Sequence, residues 1–244
     1  MTTERNAGKA PRHVLQHHEK GRHHFSEVLD EIRQGLVRMA SIVLENARRA
    51  GDAMVEGRLD LIDTVRATDD EVNELYIELE HLTFETLARQ QPVAGDLRFL
   101  VSATRMLYEI ERSGDLAVNL VNILDREDGF PAHESLTPVL ERLVAASCKL
   151  FAMGVDALAD MAPDAGAVLD KADDEVDDLV SEFYALVGRH SEEIGLETAI
   201  EFSRVGRFLE RIADHAVNVG ENVTYIVTAE FPEDGHAILG DETE

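Results

Sequence analysis

Four pairs of side chains in this sequence stand four residues apart in segments whose pattern predicts helix: Glu111 with Asp115, Glu210 with Asp214, Asp173 with Asp177, and Asp69 with Asn73. Residues so spaced lie one turn apart on one face of a helix, so each pair presents two oxygen-bearing groups side by side. Neighbouring carboxylates repel, and burying one costs several kcal/mol unless it is paired or coordinates a metal. A hard cation such as magnesium, manganese, calcium or iron would answer such a clamp. Arg or Lys reaching across a helical bundle would answer it too, and full solvation would remove the need. Arg112 and Arg211 follow the acids directly but point about 100° away from them, so they answer poorly within their own helices.

Composition alone makes acid pairs common, since 49 of the 244 residues are Asp or Glu. Roughly ten such pairs are expected by chance at this spacing. What sets these apart is recurrence. Arg105, Glu111, Arg112, Asp115, Ala117, Val118 and Asn119 reappear at one constant offset as Arg204, Glu210, Arg211, Asp214, Ala216, Val217 and Asn218. A shorter echo sets Asp69-Asp70-Glu71-Val72-Asn73 against Asp173-Asp174-Glu175-Val176-Asp177. The chain reads as an internal duplication, with both clamps carried in each copy.

The elements that must position these groups are helices. Val28, Leu29, Ile32, Leu36, Met39, Ile42 and Val43 recur at steps of three and four in a helix from Ser26, as its cap, to about Gly57. A second helix runs from about Leu59 to Arg89 and stops at Gln91-Pro92, because the residue before proline avoids the α region. A third starts near Ala94 with its stripe at Leu100, Ala103, Leu107, Ile110, Gly114, Ala117, Val121 and Leu124, which puts Glu111 and Asp115 on the shoulder of the apolar face. Turn formers at Asp125 to Pro131 mark a joint, and three further helices follow: about Ser135 to Met161, Pro163 to Arg189, and Leu196 to Thr228. The expected fold is all-α, two tandem pseudo-symmetric three-helix bundles. Residues 1–24 read as a polar, histidine-bearing arm, 25–128 and 129–229 as the two repeats, and 230–244 as an acidic tail.

Several functions are disfavoured by the same residues. The net charge of −26 offers nothing to nucleic acid or an anionic membrane face. No segment approaches the ~18–20 apolar residues of a membrane span, so a cytoplasmic protein is expected. Cys148, the single cysteine, sits in a buried-helix pattern and reads as a structural thiol. No phosphate-binding loop, dinucleotide fingerprint or nucleophile elbow occurs, and the chain reads as a non-enzyme. A metal-storage or di-iron bundle is the alternative class. It would need two Glu-x-x-His pairs, of which only Glu78 and His81 supply one. His81 therefore reads as a surface or interface residue, and His215, adjacent to Asp214, points away from that acid's clamp.

Tyr108-Glu109-Ile110-Glu111-Arg112-Ser113-Gly114-Asp115 and Arg207-Phe208-Leu209-Glu210-Arg211-Ile212-Ala213-Asp214 resemble the E-R-[IL]-G-D motif of both repeats of the PhoU family, and Gln91-Pro92-Val93-Ala94-Gly95-Asp96-Leu97-Arg98 resembles that family's Q-P-x-A-x-D-L-R string. The resemblance runs from about residue 20 to 229. It implies two three-helix bundles whose acids hold metal clusters: Asp69, Glu111 and Asp115 in the first half, Asp173, Asp177, Glu210 and Asp214 in the second. Iron, zinc, manganese or magnesium are the ions it implies. Asn73 departs from an acidic fourth ligand, and Ser113 from the family's Ile or Leu. The resemblance further implies a cytoplasmic homodimer that reaches the inner face of the membrane through its partners. Those partners are the ATPase subunit of the phosphate-specific ABC transporter and a membrane sensor histidine kinase, both restrained when phosphate is plentiful.

Overall fold

The structure is a computed structural model that describes residues 12–126 and 132–230. These form six helices: α1 Arg12–Glu56, α2 Ile62–Gln90, α3 Ala94–Arg126, α4 Thr137–Asp160, α5 Ala165–Ile194 and α6 Leu196–Thr228, with a single 3-10 turn at Leu59–Leu61 before α2. The expected arm falls partly outside the described residues. From Arg12 onward it is helix, because nothing between Arg12 and Ser26 but Gly21 opposes one, so Ser26 lies inside α1 and caps nothing. The joint at 127–131 and the tail from 231 lie outside the described residues. Helix α5 runs past Arg189 to Ile194 and ends at Gly195, whose φ of 84° suits glycine. Gln91 takes the left-handed conformation at the end of α2, where the proline signal placed the stop.

Within each half the three helices pack on one another, and the halves join through α1 against α4 and α3 against α6. Both joining pairs are antiparallel. Arg33 of α1 donates to the Ala159 carbonyl at the end of α4 (3.0 Å), and Arg126 at the end of α3 pairs with Glu201 near the start of α6 (3.4 Å). Equivalent helices thus meet each other across a pseudo-two-fold axis. Every residue of the stripe read on α3 is buried, Leu100, Ala103, Ile110, Ala117, Val121 and Leu124 completely. Each large member contributes about 1.5–3 kcal/mol of burial, which is what pins the face that carries Glu111 and Asp115. Cys148 is buried as expected, and burial pushes its thiol up to about 11.

Two acidic clusters on one scaffold

In the first half, α2 supplies Asp69 and α3 supplies Glu111 and Asp115. The approach depends on Gly114: a Cβ there would lie 2.8 Å from Asp69 Oδ1, so the missing side chain makes room for the carboxylate. Burial, and then the charge of Asp115, push the Asp69 carboxyl up to about 6, against the opposing effect of Asn73, whose Nδ2 donates to Asp69 Oδ2 at 3.2 Å. Burial and Asp115 raise Glu111 as well. The three predicted acids therefore face one another, although Asp115 itself is exposed rather than half-buried as its place on the shoulder suggested. Asn73 contributes a donor that supports one carboxylate, and no charge. One turn before Asp69, Arg66 grips Asn122 Oδ1 (3.0 and 2.6 Å) and Asp125 (2.8 Å), so a cation stands at the edge of this cluster.

The second half assembles Asp173 and Asp177 of α5 with Glu210 and Asp214 of α6. Asp173 is pushed up to about 7 by burial and then by Asp177, Asp214, Asp170 and Glu210. Its Oδ1 is buried with no hydrogen-bond partner. Burial and Glu210 raise both Asp177 and Asp214. One acid does have a cation: Arg207 pairs with Glu210 at 2.8 Å, from one turn earlier on α6. Among the described residues no Lys or Arg lies within ion-pair distance of Asp69, Glu111, Asp115, Asp173, Asp177 or Asp214. The neighbouring arginine Arg112 instead lies over the Tyr108 ring, 5.4 Å from its centroid, and donates to the Tyr108 hydroxyl at 3.0 Å. Oxygen donors that destabilise one another, one of them an orphaned buried oxygen, fit a hard cation of the kind that seeks carboxylates.

The sequence reading did not find the polar link between the clusters. His215 is 7% exposed, and its Nδ1 donates to Glu109 Oε2, which also accepts from Asn218 Nδ2 at 3.2 Å. Burial raises the Glu109 carboxyl, but these hydrogen bonds outweigh it and hold the group below the usual range. By the constant offset of the repeat, Glu109 corresponds to Phe208 and His215 to Leu116. One side of the α3–α6 crossing is therefore polar where its symmetry mate has apolar side chains. That departure from the repeat was the available signal. Glu78 and His81 are both exposed on α2, away from either cluster.

A model of the PhoU domain matches residues 36–124 and again 140–223, one copy on each half. The chain is 31% identical over 211 residues to the phosphate-specific transport system accessory protein PhoU homolog of Synechocystis, covering 85% of this chain and 92% of that one. It is 32% identical over 216 residues to PhoU homolog 1 of Mycobacterium tuberculosis, covering 85% and 95%. The crystal structure of PhoU from Pseudomonas aeruginosa matches with a TM-score of 0.79 at 25% identity, over 84% of this chain and 100% of that one. That of the phosphate transport system regulatory protein PhoU from Streptococcus pneumoniae matches at 0.76 and 21% identity, over 86% and 99%, and shares the fold.

Proposed function

The chain belongs to the PhoU family, and from that premise we propose that it is a non-enzymatic accessory protein of phosphate transport, a metal-binding adaptor between the phosphate ABC transporter and a sensor histidine kinase. Its relatives' names carry the phosphate role. The observation that carries the metal is the pair of acidic clusters at equivalent places in the two halves, with Asp173 Oδ1 buried and unpartnered. Asp69, Glu111 and Asp115 would hold ions in the first half, and Asp173, Asp177, Glu210 and Asp214 in the second. Bound iron, manganese, zinc or magnesium would neutralise the clusters and fix α2 on α3 and α5 on α6. No described helix is long and apolar enough to cross a membrane, so recruitment to the transporter would run through contact with its ATPase subunit at the cytoplasmic face. A homodimer would present the surface twice.

Deleting the gene should leave phosphate-starvation genes active in phosphate-rich medium, measured by reporter expression; normal repression in the deletion strain overturns the adaptor reading. Capture of partners from a membrane extract with wild type and with Glu111→Ala plus Glu210→Ala tests the clusters at the same time. Equal capture by both proteins would separate the clusters from partner binding.

A further inference from the structure

The sequence His190-x-x-Glu193 puts an imidazole and a carboxylate on one face near the end of α5. Helix α4 runs back along α5, which brings His133, in the turn before α4, to the same place. His133 Nε2 lies 3.5 Å from Glu193 Oε2, His190 Nδ1 lies 3.1 Å from the same oxygen, and one ligand atom from each of the three residues lies within 4.8 Å of the other two. The two rings meet edge to face, 4.5 Å between centroids. We propose that His133, His190 and Glu193 form a zinc-type transition-metal site, separate from the acidic clusters and independent of whether those clusters hold metal.

Two distances argue for it. Zinc bonds to histidine nitrogen and carboxylate oxygen are about 2.0–2.2 Å, which puts neighbouring donors of a tetrahedron about 3.3 Å apart. The 3.1 and 3.5 Å separations bracket that value. The ligand chemistry also differs from that of the clusters: two imidazoles and one carboxylate suit zinc, cobalt or nickel, whereas oxygen-only sites suit harder ions. Ring exposure is 12% for His133 and 23% for His190 against 68% for Glu193, so the rings are held by the protein while the carboxylate side stays open to water as a fourth ligand.

Metal-free, the same residues make a clamp. His133 Nδ1 accepts from the backbone N–H groups of Ser135 and Leu136 at 3.2 and 3.3 Å, so the neutral ring carries its proton on Nε2 and donates it to Glu193. A metal on Nε2 takes that nitrogen's lone pair, so the ring's proton moves from Nε2 to Nδ1, and Nδ1, now a donor, releases both amides. Losing these two neutral contacts costs binding on the order of tenfold each. A three-ligand site withstands that loss, and the exchange leaves a signature: metal loading should expose the Ser135 and Leu136 amides.

The test titrates the full chain, stripped with chelator, with Co²⁺ and Zn²⁺ in excess Mg²⁺, which occupies oxygen-only sites but competes poorly for imidazole. Wild type should take up about one equivalent that carries the visible absorption of four-coordinate cobalt, whatever the acidic clusters bind besides, and hydrogen exchange at Ser135 and Leu136 should quicken. His190→Gln keeps a donor for Glu193, and so the clamp, but lacks the ligand; it should lose at least about tenfold in affinity. Glu111→Ala plus Glu210→Ala, which weakens the oxygen-only clusters, should keep the four-coordinate cobalt absorption and lose only the equivalents those clusters hold. If His190→Gln and Glu193→Gln keep wild-type affinity, or if the two amides stay protected in the zinc-bound protein, the site is only a hydrogen-bonded clamp and the proposal is overturned.

Discussion

The two acidic clusters occupy equivalent places on equivalent helices, yet they solve the electrostatic problem differently. In the first, Asn73 donates to Asp69, and Arg66 stands one turn away with Asn122 as its acceptor. In the second, the corresponding positions are Asp177, Asp170 and Glu221, and Asp170 adds to the charge that raises Asp173. The first cluster is partly answered by the protein's own donors. The second carries a fourth carboxylate where the first has that amide, and among the described residues Glu210 alone of its acids has a cation, Arg207 at 2.8 Å. On the proposed metal-binding reading the second would be the tighter cation site, because Asp170 and Asp177 add charge where the first half has Arg66 and Asn73. Duplication supplies a scaffold twice, and a few substitutions at its edges set how much of each cluster's charge the protein itself answers.

The sharpest way to break the contrast is Asp173→Asn. It should weaken manganese binding in the second half by at least about 100-fold, read by calorimetry, while raising the melting temperature of the metal-free protein, because a buried charge among four like charges is gone. Asn73→Asp should pull the first cluster toward the second: manganese affinity there rises about tenfold, and the metal-free protein melts earlier.

The next effect is on pH. Asp69 and Asp173 titrate near 6 and 7 in the folded chain against an ordinary aspartate value of 3.8, so between those limits the folded state holds protons the unfolded state has released. Stability therefore falls as pH rises through that window. Metal-free protein should melt a few degrees higher at pH 5.5 than at pH 8, and saturating Mn²⁺ should shrink or reverse the difference. The smallest effect belongs to Arg66→Ala. Its guanidinium is 39% exposed, so the stability change should stay below about 1 kcal/mol by denaturant melts, and cation affinity in the first half should change by less than about threefold.

What the sequence makes legible follows from what is local or repeated. The stripe on α3 can be read because its periodicity and its burial are the same fact, and six of the seven acids stand out because each recurs at the matched place of a shared string, Asp177 falling on Asn73. Arg207 lies one turn before Glu210 on the same helix and pairs with it, whereas Arg211, next in sequence, points away; the spacing of three rather than adjacency carries that contact. The start of α1 was misplaced because a polar helix has no apolar stripe to announce it. Glu109 with His215, and His133 with His190 and Glu193, depend on how separate helices meet, which no periodicity within one helix reports.

The polar crossing of α3 and α6 also decides what these halves can assemble with. Two bundles this alike could exchange, the first half of one molecule packing on the first half of another. In such a swap Leu116 of the second molecule would take the position of His215, so Glu109 would lose its imidazole donor and keep only an amide, that of Asn119 at the position of Asn218. Glu109 and His215 thus act as a key between unlike halves: each half is complementary to a sibling half and mismatched to its own copy, which disfavours pairing of like with like.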